Sequence, residues 1–182
     1  MTDFAPTEYR RDTDAIPTWE NGVLKPIDKL EAHRRGLRHK AVSVFVMHGD
    51  EVLIQRRAMC KYHTPGLWAN TCCTHPHWDE APEACAQRRL TEELGILGLV
   101  LEHRDQVEYR ADVGGGLIEH ELLDIFIARV SARIPVAPNP DEVMEVEWVQ
   151  MSDLVRKTKR DPARFTPWLR IYLEQYAEQI FA

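Results

Sequence analysis

Residues 74–96 read THPHWDEAPEACAQRRLTEELGI, and this stretch predicts a helix of about four turns over residues 80–95. Pro82 suits the first turn, because the N–H that proline lacks would be unpaired there in any case. Asp79 lies just before the helix and is expected to cap it. Gly95 is typical of the residue at which a helix ends in the left-handed conformation.

Apolar and alternating segments on both sides of this helix predict β-strands. Residues 41–47 and 51–57 are separated by the short turn HGD, so they are expected to form a hairpin. Further strands are predicted over 100–111, 118–130 and 142–149, and helices over 151–158 and 162–181. Because these elements do not alternate regularly, we expect a single α+β domain over residues 1–182, with a mixed sheet flanked by helices. Residues 1–28 are expected to form a partly mobile N-terminal extension.

The composition is that of a globular domain, with 44% hydrophobic and 29% charged residues in a chain of 182. Apolar runs fall short of the roughly 18 residues of a membrane span, and the polar N-terminus is unlike a signal peptide. We therefore expect a cytoplasmic protein without membrane insertion. The formal net charge of −6 argues against general nucleic-acid binding. An anionic substrate would therefore need a local cluster of cations.

Two adjacent cysteines, Cys72 and Cys73, precede the predicted helix, and His75 follows the second of them at i+2. Neighbouring cysteines rarely pair with each other, because disulfide geometry requires a specific separation and orientation. In a reducing compartment, these two residues together with Cys60 and Cys85 are expected to be free thiols or metal ligands. The spacing alone leaves open a metal ligand, a catalytic thiol and a small buried residue.

Residues 74–96 resemble the Nudix box, G-x5-E-x7-R-E-U-x-E-E-x-G-U. The matching positions are Glu80, Arg88, Leu90, Glu92, Glu93, Gly95 and Ile96. Thr74 replaces the opening glycine, and Arg89 replaces the first glutamate after the arginine. In Nudix hydrolases that glutamate helps to gather the magnesium ions that drive attack on a diphosphate, so the resemblance implies an incomplete hydrolytic cluster. From spacing alone, Arg89 and Glu93 equally fit an ion pair on a solvated helix face.

One branch of the Nudix superfamily has this arginine, a Cys-x-His-Pro before the box and a Glu-x-Glu after it. The chain resembles that branch, type 1 isopentenyl diphosphate isomerase, over roughly residues 29–170. Besides the box, the matching stretches are HKAVSVFV, RRAMCKYHTPGLWANTCCTHP, VEYRA, GLIEHELLDIF, NPDEVMEVEWV and FTPW. The resemblance implies a Nudix-like sandwich that reversibly converts isopentenyl diphosphate to dimethylallyl diphosphate for isoprenoid biosynthesis. We expect a monomer or a weak homodimer.

The resemblance assigns the catalytic acid–base pair to Cys73 and Glu121. It places Tyr109 and Trp168 beside a carbocation-like transition state, where aromatic faces stabilise positive charge. Tyr109 is also suited to donate a hydrogen bond to the acid–base carboxylate. Taken without the resemblance, both aromatic residues would fit ordinary core packing, and Cys73 would fit a small buried residue. Cys72 is expected only to pack.

Two metal sites are implied. The first would bind Mn²⁺ or Zn²⁺, which accept mixed imidazole and carboxylate ligands, through His33, His39, His75, Glu119 and Glu121. Two glutamates at i and i+2 of a strand face the same side, although solvated residues at a strand end would show the same spacing. The second would hold Mg²⁺ between Glu93 and the substrate diphosphate. The other histidines are expected in surface or core positions without a ligand role: His48, His63, His77, His103 and His120.

The resemblance maps the diphosphate-binding cations onto Arg57, Lys61 and Arg89, which we call the cradle. Arg56 and Arg88 are expected to face elsewhere. Two alternative functions remain at this point. A Nudix-type diphosphate hydrolase is disfavoured by Arg89, and a non-catalytic metal-binding domain is disfavoured by the cradle, which a bare metal site would not need.

Overall fold

The computed structural model describes residues 15–182, and its centre is the long strand β3 (His39–His48). On one side β3 pairs in parallel with β8 (Leu117–Arg129), which in turn pairs antiparallel with β7 (Glu102–Gly114). On the other side β3 pairs antiparallel with β6 (Cys72–Thr74). The mixed sheet therefore holds β6 and β8 on opposite sides of one strand.

The predicted hairpin is confirmed next to its turn, where β3 pairs with β4 (Glu51–Arg57) at His48 and Glu51. Farther from the turn the two strands take different partners. β4 pairs with β5 (Trp68–Ala69) and β9 (Val143–Gln150). The distant ends of the hairpin, at the start of β3 and the end of β4, therefore separate. Arg57 at the end of β4 lines the cavity described below, and His39 at the start of β3 contacts Glu119, which also lines it.

Residues 15–28 of the predicted N-terminal extension form a β-hairpin, and residues 1–14 lie outside the described residues. Its strands are β1 (Ala15–Glu20) and β2 (Val23–Asp28), which are joined through Asn21 and Gly22 with φ of 53° and 79°. Two left-handed residues are what a two-residue hairpin turn of type I′ requires, and Asn-Gly is its preferred sequence. This dipeptide is a local signal from which the hairpin could have been predicted.

A short helix, α1 (Lys29–Arg35), follows the hairpin and lies outside the sequence-based expectations. The Asp28 carboxylate caps it by accepting a 3.0 Å hydrogen bond from the backbone N–H of Glu31. Gly36 ends it with φ of 61° in the left-handed conformation. Two clear caps thus define a helix too brief to show a periodic pattern.

The predicted helix after the cysteine pair is confirmed as α2 (Pro82–Leu94), with Pro82 in its first turn and Gly95 at its end. The expected cap is wrong, because Ala81 occupies the N-cap position. Asp79 instead has a left-handed backbone, with φ of 64°, in the loop before the helix. Asp79 thus lies two residues before the N-cap, which has no capping hydrogen bond from a side chain.

The C-terminal region contains α3 (Met151–Arg160), α4 (Pro167–Gln175) and α5 (Ala177–Phe181). The single helix expected over 162–181 is thus interrupted. A 3₁₀ turn, Pro162–Arg164, comes first, and the extended residue Thr166 then precedes α4. A residue before proline is sterically disfavoured in the helical conformation, so Pro167 sets this boundary.

Two hydrophobic clusters lie on opposite faces of the sheet, and alternate residues of β3 contribute to each. Phe45 packs with Trp168 and Tyr172 of α4 in the first cluster. Val44 packs with Cys72 and with residues of α2 in the second. The predicted α+β sandwich of a mixed sheet between helices is confirmed. Among residues 15–182, no helix is both long and apolar enough to cross a membrane.

Candidate active site and metal centre

Three histidines and two glutamates converge in a buried cluster, and all five are the predicted ligands of the first metal site. One ligand atom from each of His33, His39, His75 and Glu119 lies within 4.8 Å of the others. Glu119 Oε2 is 3.0 Å from His33 Nε2, 3.4 Å from His39 Nε2 and 3.8 Å from His75 Nε2. Glu121 Oε1 lies beside this group, 3.0 Å from His75 Nε2 and 4.0 Å from His39 Nε2. We call these five residues the metal cluster.

Strand geometry explains much of this convergence. Glu119 and Glu121 alternate with more exposed residues on β8, so both face inward, as the sequence predicts. His39 stands directly opposite Glu121 in the parallel pairing of β3 with β8. Tyr109 stands opposite Glu121 on the other neighbouring strand, β7. One row across three strands thus carries a histidine, a carboxylate and a phenol.

Backbone carbonyls orient two of the histidine rings. The Nδ1 atom of His33 lies 2.6 Å from the carbonyl oxygen of Lys29, and that of His39 lies 2.7 Å from the carbonyl oxygen of Leu37. Because a carbonyl only accepts, Nδ1 carries the hydrogen in both rings, and Nε2 is the nitrogen that faces the cluster and could bind an ion. This arrangement is typical of metal-binding histidines.

The cluster also contains buried polar atoms that fit a cation. Among the described residues, His39 Nε2, both ring nitrogens of His75 and Glu119 Oε2 make no hydrogen bond of normal geometry. Leaving such an atom unpaired typically costs about 1–3 kcal/mol. A divalent ion would satisfy several of them at once, and the mixture of imidazole nitrogen and carboxylate oxygen suits such an ion. The residues present therefore fit divalent metal binding.

The second oxygen of each glutamate contacts a side chain from outside the metal cluster. Tyr109 donates its hydroxyl to Glu121 Oε2 at 2.7 Å, as expected for this residue. His63 Nε2 lies 2.9 Å from Glu119 Oε1, although the sequence indicated no role for this histidine. The ring of His63 is only 6% exposed. It is therefore part of the site and is a residue that the sequence analysis missed.

The two carboxyl groups have opposite pKa shifts. Burial alone would raise the pKa of Glu119, but favourable interactions of its carboxylate with the four surrounding histidines outweigh burial and hold that pKa well below its usual range. Burial raises the pKa of Glu121 well above its usual range, and the negative charge of Glu119 adds to the increase. In the metal-free protein the pair therefore favours one carboxylate and one protonated carboxyl group.

The adjacent cysteines point to opposite faces of the sheet. Cys72 is fully buried and packs with Cys85 and Leu90 of α2. Cys73 is half-buried, lines the cavity that contains Glu121, and has its Sγ atom 3.6 Å from the Tyr172 hydroxyl. Burial raises the pKa of the Cys73 thiol, and a negative charge on Glu121 raises that pKa further. Only the second cysteine of the pair therefore faces the candidate site as a protonated thiol.

The cradle cations, Arg57, Lys61 and Arg89, line the same cavity. Two acidic residues pair with them. Arg89 Nη2 lies 2.6 Å from Glu93 Oε1 and 3.3 Å from Glu142 Oε1, and the Lys61 ammonium also contacts Glu142. The cavity thus brings together the three cations that the sequence analysis predicted.

Lys29 adds a fourth cation to the cavity, one that the sequence analysis missed. Burial and the nearby charge of Lys61 lower the pKa of Lys29 to about 8. Arg56 and Arg88, in contrast, are directed elsewhere, as expected. Arg56 Nε donates to the carbonyl of Gly66 at 2.9 Å, and Arg88 binds both oxygens of Glu80 at 2.7 and 2.8 Å.

The two remaining candidates occupy different positions around the cavity. Trp168 lines it, and the Arg57 guanidinium lies 5.3 Å from the centre of its ring. Glu93, the candidate Mg²⁺ ligand, is almost fully buried, and its Oε2 atom accepts a 2.8 Å hydrogen bond from Gln55.

Three histidines away from the cavity contact acidic side chains instead, in the pairs His48–Glu51, His103–Asp124 and His120–Glu108.

The NUDIX domain family matches residues 37–169. The chain is 67% identical over 168 residues to an isopentenyl-diphosphate Delta-isomerase of Dinoroseobacter shibae, an alignment that covers 92% of this chain and 96% of that protein. A protein of the same name from Roseobacter denitrificans is 66% identical, with 93% and 96% covered.

The fold is similar to the crystal structure of the MutT protein from Methanosarcina mazei, with a TM-score of 0.62 and 19% identity over 78% of this chain and 94% of that one. This likeness bears on the fold alone. The family resemblance predicted from the altered box and its flanking motifs is confirmed. The chain belongs to the isopentenyl-diphosphate Delta-isomerase family of NUDIX domain proteins.

Proposed function

We propose that this chain is an isomerase that interconverts isopentenyl diphosphate and dimethylallyl diphosphate, with Cys73 and Glu121 as its acid–base pair. The activity is that named for relatives with up to 67% identity over nearly their whole length. The single observation that carries the assignment of the pair is that both side chains line one cavity together with the cradle. The reaction would be a step of isoprenoid biosynthesis.

The reaction adds a proton to one end of a three-carbon unit and removes a proton from the other end, so the substrate gains and loses one proton in each turnover. An acid that reaches one end of this unit and a base that reaches the other end are therefore required. Cys73 on β6 and Glu121 on β8 come from strands that flank β3 on opposite sides. We propose that one donates its proton while the other accepts one, and that the reverse reaction exchanges these roles.

The cradle and Lys29 would bind the diphosphate through charge-assisted hydrogen bonds. In the structure two cradle cations are paired with Glu93 and Glu142, so these carboxylates hold the cations in position for the substrate. Mg²⁺ bound by Glu93 and the diphosphate would offset the repulsion that Glu93 otherwise exerts on the substrate. The net charge of the protein therefore does not prevent binding of an anion.

The face of Trp168 would stabilise positive charge that develops on the hydrocarbon, because an aromatic face attracts cations and carries no nucleophile to trap them. Tyr109 would fix the orientation of Glu121 through its 2.7 Å hydrogen bond. Mn²⁺ or Zn²⁺ held by the metal cluster would supply the positive charge that balances two neighbouring carboxylates.

The cytoplasmic location and the monomeric or weakly dimeric state stay predictions.

Product analysis tests the proposal. Purified protein is incubated with isopentenyl diphosphate, Mg²⁺ and Mn²⁺, and the organic products and free phosphate are measured in parallel. We expect dimethylallyl diphosphate at equilibrium with the substrate and no release of phosphate. In D₂O, deuterium should appear in the new methyl group. Phosphate release without the isomer would favour the hydrolase alternative and overturn the proposal. Cys60→Ala changes an exposed thiol and serves as the control for substitution of a cysteine.

A further inference from the structure

We propose that His63 is a positioning residue of the metal cluster, which donates its Nε2–H to Glu119 Oε1 and thereby directs Glu119 Oε2 toward the metal-binding histidines. The inference rests on the metal site in the proposed function. Its geometric basis is a separation of 2.9 Å between His63 Nε2 and Glu119 Oε1, while Glu119 Oε2 lies 3.0 Å from His33 Nε2. Each oxygen of this buried carboxylate therefore has a different neighbour.

The other carboxylate of the cluster shows the same division. Glu121 places Oε1 beside His75 at 3.0 Å, and its Oε2 accepts the hydroxyl of Tyr109 at 2.7 Å. His63 therefore contacts the second oxygen of Glu119 in the same way that Tyr109 contacts the second oxygen of Glu121. A carboxylate that was free to rotate could present either oxygen to the ion, and a fixed donor on one oxygen removes that freedom.

The surroundings of His63 fix its role as a donor. Because the Glu119 carboxylate can only accept, the ring nitrogen that faces it, Nε2, carries the hydrogen. The Nδ1 atom lies 3.1 Å from Thr64 Oγ1, whose hydroxyl can donate to it. Arg57 Nη2 donates to the backbone carbonyl of His63 at 3.1 Å. The ring also packs edge-on against Trp168, with 5.7 Å between ring centres. Together with the bond to Glu119, these contacts hold the donor in one orientation.

The backbone next to His63 is strained, which supports a positional requirement. Thr64 has a φ of 46°, and a β-branched residue is rarely found in this left-handed region. Such conformations persist where the surrounding structure determines them, and they are concentrated at functional sites. The same loop carries Lys61 of the cradle. His63 therefore also ties the loop that would bind the diphosphate to a ligand of the metal.

Three substitutions separate positioning from packing. Gln at position 63 can place an amide N–H close to the position of Nε2, whereas Asn is polar but too short to reach Glu119. His63→Gln and His63→Asn therefore form a matched pair. His103→Asn is the control, because His103 makes a similar contact of 2.9 Å with a carboxylate, that of Asp124, outside the site.

The readout is the affinity for Mn²⁺ and for Zn²⁺, measured on chelator-stripped protein at fixed pH by competition with an indicator. Loss of an outer hydrogen-bond partner of a metal ligand typically weakens binding about 10–100-fold. We expect a loss of that order in His63→Asn, recovery to within a few-fold of the wild type in His63→Gln, and no change in His103→Asn. Wild-type affinity in His63→Asn would overturn the proposal.

Two further measurements separate a positioning role for His63 from packing and from direct metal ligation. The thermal midpoints of the metal-free variants report on folding, and an equal loss of affinity in His63→Gln and His63→Asn would indicate packing and overturn the proposal. The absorption spectrum of Co²⁺-loaded protein reports on its ligands. We expect the same spectrum in wild type and His63→Gln, and a spectrum with one nitrogen ligand fewer would make His63 a direct ligand and overturn the positioning role. Isomer formation by the wild type is measured separately, so failure of the proposed function would be recognised independently of these binding results.

Discussion

Replacing the two adjacent cysteines one at a time with alanine should separate stability from catalysis. Cys72 is 0% exposed and lies in the cluster beneath α2. Cys72→Ala removes a buried sulfur and leaves a small void, which should cost about 1–2 kcal/mol of unfolding free energy. For a domain of this size the thermal midpoint should then fall by roughly 2–8 °C. The catalytic rate at 25 °C should remain close to that of the wild type.

Cys73→Ala should show the opposite behaviour. This side chain is half-buried against the cavity, and its polar neighbour is the Tyr172 hydroxyl at 3.6 Å, so the loss of stability should stay below about 1 kcal/mol. A general acid or base contributes typically about 10²–10⁴-fold. At about 1.36 kcal/mol per decade, this loss corresponds to about 2.7–5.4 kcal/mol of transition-state stabilisation.

Both variants should be compared with the wild type by urea unfolding and by kcat/KM for isomer formation. The reasoning would be refuted if Cys72→Ala were inactive while Cys73→Ala remained active. It would also be refuted if Cys73→Ala lost stability and activity together, because a folding defect would then account for the lost activity. Glu121→Gln removes the second member of the proposed acid–base pair and should lower kcat/KM to an extent similar to that of Cys73→Ala.

Three other perturbations have equally direct outcomes. Tyr109→Phe removes a 2.7 Å hydrogen bond to the carboxyl group of Glu121. Because such a bond is worth roughly 1.5–3 kcal/mol, kcat should fall about 10–100-fold with little change in KM. An unchanged kcat would exclude Tyr109 from a role in the reaction. Removing the metal with a chelator should lower the thermal midpoint, and Mn²⁺ at about 100 times its Kd should restore about 2.7 kcal/mol in the wild type but not in His75→Ala. Arg88 lowers the pKa of Glu80 to about 2. The Glu80 carboxylate therefore stabilises the fold above about pH 4.5, and this stabilisation is lost as the pH falls toward about 2. Glu80→Gln should cost about 1 kcal/mol at about pH 7 after solvent screening, and urea unfolding should show the difference from wild type shrinking by about pH 3.

The sequence predicts the long elements of the fold because their local signals agree. Helix α2 has proline at its start, glycine at its end and an apolar face, and β3 and β8 have the composition of buried strands. It missed the N-terminal hairpin and α1, although the hairpin turn Asn21-Gly22 carries a local signal, and it missed two very short strands. β5 and β6 have two and three residues, which is too few for a periodic signal. Their conformation depends on pairing with β4 and β3 and thus on tertiary structure.

Prediction of the site shows a similar limit. The resemblance named every residue of the metal cluster and the cradle, because motifs carry positions that matter to a family. His63 lies in one of the matching stretches, but the resemblance assigned it no role. Its contact with Glu119 joins residues distant in the chain and depends on the left-handed backbone of Thr64. No spacing rule in the sequence predicts such a contact.

The arrangement of charges explains how an acidic chain can select an anionic substrate. Glu119 and Glu121 point toward three imidazoles, and a divalent ion bound there would balance them. The cradle cations and Lys29 line the same cavity but come from the hairpin, the loop after it and two helices. Because the Coulomb interaction falls with distance and is strong in a buried site, local groups and not the net charge of −6 determine what binds. Metal binding would reduce the repulsion between the two carboxylates and the incoming diphosphate, so occupation of the metal cluster should favour occupation of the cradle.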